Sequence, residues 1–345
     1  MKRVGAGNVR TFSIGFEERR YDELPHARTV ARHLGTEHEE LVVRPDAAAL
    51  VPRLVWHYGE PFADSSALPM FLLSEMTRRS VTVALGGDGG DESFAGYERY
   101  TAMGLADRVP RPAAAAGAKL LRALPAGRRE RRSTTFRAAR FLEAAATPRG
   151  ERYGRLMQVF SLGERSALWT DDARAEIGVL ASPGFLLGPP PAGGVAGLQR
   201  LDIATYLPGD LLPKSDIASM AHSLELRSPL LDRRVVELGL SLPARLKRDK
   251  LALRRAFADD LPPLVASRGK SGFGVPLAAW FRGELRDLAH DTLLNDRGWF
   301  DRGAVQALLD DHAAGRADNG HRLWTLVMLE LWHRTHVDAP VRAAA

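Results

Sequence analysis

Cysteine is missing from all 345 residues. That excludes disulfides, thiolate zinc sites and any cysteine nucleophile. No apolar run is long enough to span a bilayer, and no signal-peptide pattern opens the sequence, so a cytoplasmic protein is the default expectation. Aromatic residues make up only 7% of the chain. None of them interleaves with the basic run Arg128, Arg129, Glu130, Arg131 and Arg132. Stacking on bases therefore has no platform there, the run reads as solvated surface, and no nucleic-acid partner is expected. The modest formal charge of +6 is enough to steer an anionic small molecule. Hydrophobic content of 45% and charged content of 26% are ordinary for a globular protein long enough to hold two cores.

What is present centres on residues 81–97, VTVALGGDGGDESFAGY. Val81, Val83 and Leu85 carry no charge and read as a buried strand. The chain then breaks into Gly86, Gly87, Asp88, Gly89, Gly90, Asp91 and Glu92. Glycines allow close backbone approach, and three carboxylates beside exposed N–H groups suit a metal held together with an anionic ligand. Phe94 and Tyr97 resume an apolar spacing, which predicts a helix from there. A plain surface turn is the other reading of the heptapeptide. A calcium β-helix repeat fits residues 86–91, but Ser93 falls where an apolar residue is needed and the repeat occurs once. The Rossmann G-x-G-x-x-G pattern does not fit.

Upstream, residues 9–16 alternate, with Phe12, Ile14 and Phe16 on one side, and read as a strand. Residues 20–34 read as a helix with Asp22 as N-cap, Pro25 in the first turn and Gly35 as the stop. Residues 36–43 form a second strand, 46–58 a second helix capped by Asp46, 59–66 a polar turn, 67–79 a third helix and 81–86 a third strand. This order predicts an α/β fold with a parallel sheet, whose ligands bind beyond the carboxyl ends of the strands. The loops at Ile14, Asp64 and Gly86–Glu92 converge on that edge.

Three consecutive parts are expected: 1–104 as the α/β part, 105–197 as an Ala/Arg/Pro-rich helical insertion, and 198–345 as a helical part completing the site. Residues 111–150 are expected to be helical where prolines allow, and 182–197 to form a loop. Lys214, Asp216, Glu225, Arg227 and Asp232 sit in an otherwise apolar stretch, as a structural network or as part of a site. Lys270 stands in the Gly-rich run 267–276. That run is not a Walker A loop, because Leu264 replaces the required glycine. Residues 298–337 read as two amphipathic helices with Trp299, Leu308, Leu323, Trp324, Leu329 and Trp332 in the core.

These pieces together resemble the synthetase half of glutamine-hydrolysing asparagine synthetases. The runs are FSIGF (12–16), RYDELPHA (20–27), EPFADSSALP (60–69), GGDGGDE (86–92), FAGYERY (94–100), YLPGDLLPKSD (206–216), LELRSPLLD (224–232) and KSGFGVP (270–276). The resemblance implies a PP-loop ATP pyrophosphatase fold, the adenine nucleotide alpha hydrolase-like type, and two cofactors, ATP and Mg²⁺. It implies that an aspartate side chain is adenylated and that ammonia displaces AMP. By position, Ile14 meets adenine through its backbone, and Gly86 and Gly87 line the nucleotide. Asp91 holds Mg²⁺, Asp88 serves adenylate formation, and Tyr97 and Lys270 face the reacting centre. Glu92, Lys214, Asp216, Glu225, Arg227 and Asp232 support the site.

The chain departs from the family in having Gly86 for Ser, Gly59 for Asp and Ala95 for Gly. The family's N-terminal glutaminase domain uses a cysteine, so by itself this chain is expected not to hydrolyse glutamine. Its ammonia is expected to come through a glutaminase polypeptide, and a homodimer is a further possible arrangement. The family's opening strand and Ser-Gly-Gly-x-Asp-Ser loop have no counterpart here. In the family that strand lies between those matching residues 9–16 and 81–86. The resemblance therefore implies a gap between two strand edges, and a fragment, a truncated gene model or half of a split enzyme. Relatives that close β-lactam or lasso-peptide rings, or amidate sugars and peptides, are alternatives, as is a non-catalytic nucleotide-binding partner.

Overall fold

A computed structural model describes residues 1–5, 7–43, 47–123, 133–177, 192–263, 274–295 and 297–338. The chain divides into two compact units. The first comprises Met1–Pro45, Asp64–Glu98 and Leu198–Pro276; the second comprises Asp46–Ala63, Arg99–Gly197 and Leu277–Ala345. Each unit is thus assembled from three separated stretches of chain.

In the first unit, β1 (Arg10–Phe16) runs parallel to β2 (Glu37–Val43), paired from Arg10 with Glu37 through Phe16 with Val43. The connection is α1 (Leu24–Leu34). Pro25 sits at the helix start, where its missing N–H costs nothing, and Gly35 closes the helix in the left-handed region at φ 61°. The expected cap Asp22 accepts the Leu24 N–H at 3.1 Å, and the helix begins one residue later than that cap suggests. Ile14 and Phe16 are buried. Against β1 packs α3 (Ala67–Arg78), with Leu68 and Phe71 fully enclosed.

The third strand, β3 (Val83–Leu85), pairs in parallel with β4 (Glu225–Arg227) and not with β1. The continuous sheet expected from the element order is therefore two two-stranded sheets among the described residues. Between them lies a cavity of about 860 Å³, lined by Asn8–Phe12 on one side and Val83–Asp88 on the other. Val83 and Leu85 are 40% and 53% exposed, which corrects the expectation of a buried strand. The cause is plain: an apolar strand is buried only if a neighbour covers it, and no described strand lies beside that edge of β3.

The described part of the second unit is helical apart from an isolated bridge between Trp169 and Phe300. It includes α2 (Ala47–Tyr58), most of α5 (Glu98–Ala106), α6 (Arg111–Ala123) and α7 (Thr134–Ala146). The alanine richness of 111–150 has a packing reason. Ala114, Ala118, Ala144 and Ala145 are all buried, and at Gly117 an added Cβ would lie only 3.0 Å from Leu142, so α6 and α7 meet over small residues. Of the loop expected over 182–197, residues 182–191 lie outside the described residues, and its last three residues already begin the helix Val195–Ala204. The helices Arg302–Ala313 and Gly320–His333 match the expected amphipathic pair, with Leu323 and Trp324 enclosed, whereas Trp299, Leu308, Leu329 and Trp332, also expected in the core, are half-buried.

Two buried ionisable groups in this unit are satisfied internally. Glu330 faces Arg297 at 3.4 Å and Arg334 at 2.7 Å. His312 accepts the Asn319 N–H at Nδ1, and its Nε2 lies 3.1 Å from the Ala278 carbonyl. That pair of partners fits a neutral ring protonated at Nε2. Burial first, and Arg282 second, lower its pKa from the ordinary histidine value.

Candidate active site

The glycine–carboxylate motif leaves the end of β3 in the first unit. The Gly86 N–H still donates to the Arg227 carbonyl at 2.8 Å, extending the β3–β4 pairing by one rung. The chain then turns through Gly89, at φ 86°. An added Cβ there would lie 2.1 Å from Leu231 Cδ2, so the position admits only glycine. Immediately afterwards comes α4 (Gly90–Ser93), with Asp91 and Glu92 in its first turn. This one-turn helix, where carboxylates favour the N-terminus, ends at Ser93; residues 94–97 are not helical, and the helix expected from Phe94 begins only at Glu98.

The three carboxylates point to different partners. Asp88 Oδ2 accepts a long hydrogen bond from the Ser228 hydroxyl at 3.4 Å. Asp91 Oδ2 lies 3.0 Å from Lys250 Nζ. Glu92 is buried and accepts the Tyr97 hydroxyl at 2.5 Å. The Tyr97 ring stands edge-on to Tyr206, centroids 6.2 Å apart. Among the described residues no three His, Cys, Asp or Glu side chains gather as a self-sufficient metal site. A single carboxylate such as Asp91 does fit Mg²⁺ bound mainly through phosphate oxygens and water.

The turn is held from behind by residues that the sequence reading missed. Gln199 is fully buried, and its Nε2 donates to the carbonyls of Glu92 (2.6 Å) and Ser93 (2.8 Å). Its Oε1 accepts from Lys247 Nζ at 3.0 Å, and that ammonium also donates to the Leu240 carbonyl at 2.7 Å. Burial first, then the charge of Arg200, lowers the Lys247 pKa from the ordinary lysine value. The only local hint was a glutamine inside an apolar helix. A lone lysine reads as surface, because lysines are rarely buried.

The remaining expected site residues divide into separate groups. Lys214 Nζ pairs with Asp64 Oδ2 at 2.9 Å, and Asp64 Oδ1 accepts both the N–H and the hydroxyl of Ser66. Burial alone would raise the Asp64 pKa. The Lys214 ammonium and the two Ser66 donors outweigh it and hold the carboxyl below the ordinary range. Glu225 and Arg227 form an exposed local pair at 2.7 Å. Asp232 caps the helix Arg233–Ser241 through the Arg234 N–H and pairs with the Arg234 guanidinium. Asp216 is exposed. These residues are thus local pairs and a cap, not one network. Lys214, Arg227, Gly86, Gly87 and Asp88 line the 860 Å³ cavity, and Ile14 is buried in β1. Lys270 lies outside the described residues.

Ala95, which stands where the family has glycine, sits at φ 48°, in the left-handed region. An L side chain is strained there. Ala95→Gly is therefore expected to stabilise the fold by about 0.5–1 kcal/mol, the strain relief exceeding the added backbone entropy of the unfolded chain. A thermal melt checks this, and an unchanged or lower Tm would contradict the strain.

The family model described as asparagine synthase matches residues 1–334. Asparagine synthetase [glutamine-hydrolyzing] 1 of Bacillus subtilis (strain 168) is 29% identical over 341 residues, covering 96% of this chain and 53% of the relative. A Mycobacterium tuberculosis (strain ATCC 25618 / H37Rv) protein named for the same glutamine-hydrolysing synthetase is 35% identical over 350 residues, covering 96% of this chain and 51% of its own length. The amidase chyE of Penicillium rubens is 33% identical over 100 residues, 28% of this chain and 15% of that protein. The chain spans about half the length of the first two relatives. Motif, cavity and similarity along nearly all of its length agree, and the chain belongs to the asparagine synthase family.

Proposed function

We propose that this chain is the synthetase part of an asparagine synthetase-type ligase with a PP-loop ATP pyrophosphatase fold. The observation that carries the reading is the Gly86–Glu92 turn at the carboxyl end of β3, whose first residues, Gly86, Gly87 and Asp88, line a cavity of about 860 Å³ that also contacts β1. A cleft of that size, walled by apolar strand residues with a few polar groups, suits a nucleotide.

In this reading a carboxylate oxygen of aspartate attacks the α-phosphorus of ATP and pyrophosphate leaves. Ammonia then attacks the acyl carbon of the aspartyl-adenylate, giving asparagine and AMP. Gly86 and Gly87 let the nucleotide approach the backbone, and the Ile14 backbone meets the base. Asp91 is the protein ligand for Mg²⁺, which would offset charge on the phosphates when bound. Asp88 serves adenylate formation. Tyr97, held by buried Glu92, faces the reacting centre with Lys270, whose ammonium offsets the charge spread over the transferring phosphate. Gln199 and Lys247 keep the turn in place from behind. Ammonia reaches the site from a glutaminase polypeptide outside residues 1–345. A strand from outside those residues fills the gap between β1 and β3.

The test is ATP–pyrophosphate exchange in the presence of Mg²⁺, on the chain supplied with the strand that fills that gap. Aspartate is expected to drive it, ammonia to complete it to asparagine and AMP, and glutamine to give no glutamate. Exchange driven by another carboxylate and not by aspartate would move the reading to a different acceptor. ATP binding without exchange would make the chain a nucleotide-binding partner.

A further inference from the structure

Lys250 belongs to none of the sequence motifs, yet the structure brings it onto the carboxylate turn. Its Nζ lies 3.0 Å from Asp91 Oδ2, and the two side chains are 29% and 20% exposed. An ordinary surface pair leaves the backbone unconstrained. Here the surrounding backbone is shaped to the pair. Asp249 and Lys250 are consecutive non-glycine residues in the left-handed region, at φ 54° and 57°. L residues adopt that region reluctantly, and such departures cluster at functional sites. On the other side, Gly96 packs so closely that an added Cβ would lie 2.0 Å from Asp91 Oδ1 and 2.4 Å from Lys250 Cε. The same segment sends Lys247 behind the turn to Gln199, so one short stretch delivers two lysines to it.

We propose that Lys250 is a placeholder cation: it holds Asp91 until a divalent metal arrives with the nucleotide, and then passes to the phosphate oxygens. This rests on the ligase reading for its ligand. An ammonium at 3.0 Å occupies one lone-pair direction of Asp91 Oδ2. A metal bound to that oxygen at about 2.1 Å would lie close to the ammonium, and the two cations repel. Lys250 must then move. It has three donors and no acceptor, so its next partner is an anion, and phosphate oxygens sharing the metal are the nearest such chemistry. In this arrangement bare metal binds poorly, and metal enters with the phosphates that relieve the repulsion.

The experiment is titration of the 345-residue chain with Mn²⁺ alone, following loss of the free-ion electron paramagnetic resonance signal, and separately equilibrium binding of Mg·ATP. Lys250→Met is expected to bind Mn²⁺ about tenfold more tightly and Mg·ATP about tenfold more weakly, the scale of removing one partly exposed charge partner. Lys250→Arg, which keeps the charge, is expected to stay near the parent in both. Should the Met variant lose its cooperative melt, Lys250→Gln takes its place with the same expectations. Mn²⁺ affinity no tighter in the charge-removing variant, undetectable binding included, overturns the proposal, as does an Arg variant that behaves like Met. A lowered Tm with unchanged Mn²⁺ and Mg·ATP affinities would reduce the pair to a structural one. The Mn²⁺ arm needs neither nucleotide nor aspartate. A clear metal shift, with no aspartate-dependent exchange even when the missing strand is supplied, therefore sinks the ligase reading and leaves Lys250 in place, and exchange without the shift does the reverse.

Discussion

Supplying a strand to the gap between β1 and β3 is expected to sharpen and raise the thermal melt and to bring pyrophosphate release to its full rate. Each of those strands pairs on one edge only among the described residues, and the cavity between them touches both. A strand parallel to both would give their unpaired N–H and C=O groups partners, each bond contributing about 0.5–1.5 kcal/mol net. It would also cover Val83 and Leu85, whose 40% and 53% exposure is anomalous for apolar strand residues. A net gain of a few kcal/mol corresponds to roughly 2–4 °C of Tm per kcal/mol for a domain of 150–250 residues. A separate peptide loses about 1–2 kcal/mol per residue on ordering, so a segment joined in cis should act more strongly.

Chemically, the added segment should carry the Ser-Gly-Gly-x-Asp-Ser loop that the family resemblance implies. Without those N–H donors the triphosphate is less firmly oriented, and a misplacement of about 1 Å costs on the order of 10²-fold. The chain is measured with and without the segment by thermal melting and aspartate-dependent pyrophosphate release. A peptide with prolines at the pairing positions serves as control. A sharp melt and full turnover without the segment would overturn this expectation.

Lys270→Ala, in the chain with its sheet completed, is expected to slow adenylation by about 10²-fold or more, the usual scale for removing one transition-state charge partner. The argument is one of charge. The attacking carboxylate and the triphosphate are both anionic, and Lys214 is already paired with Asp64. By the family resemblance, Lys270 offsets charge on the departing pyrophosphate. Asp91→Asn is expected to raise the Mg²⁺ concentration needed for half-maximal rate, because a neutral amide is a poor ligand for that ion. The two variants differ in kind: added Mg²⁺ should recover rate in the Asp91→Asn variant and not in the Lys270→Ala variant. Steady-state exchange rates across a Mg²⁺ series check both. Near-normal rates in both variants would remove these residues from the site.

Local signals carried much of the fold. The alternation around Ile14, the Pro25 start and the Gly35 stop, and the apolar spacing of residues 67–79 each act within a few residues. β1, α1, β2 and α3 accordingly fall where the sequence places them, within a few residues. The carboxylate turn and the family were legible for the same reason, since a run such as GGDGGDE is contiguous. Tertiary structure decided what those residues touch. Asp91 finds Lys250, and the Glu92 and Ser93 carbonyls find Gln199 and through it Lys247, only because the later segments pass beside α4. The residues from Lys214 to Asp232 look like one ionic cluster in the sequence. They separate because β4, a cap and a helix send neighbouring side chains in different directions. Val83 and Leu85 carry the composition of a buried strand, and their exposure follows from the missing neighbour. Periodicity reports which face a strand would bury, and only the pairing of distant segments determines whether anything lies against it.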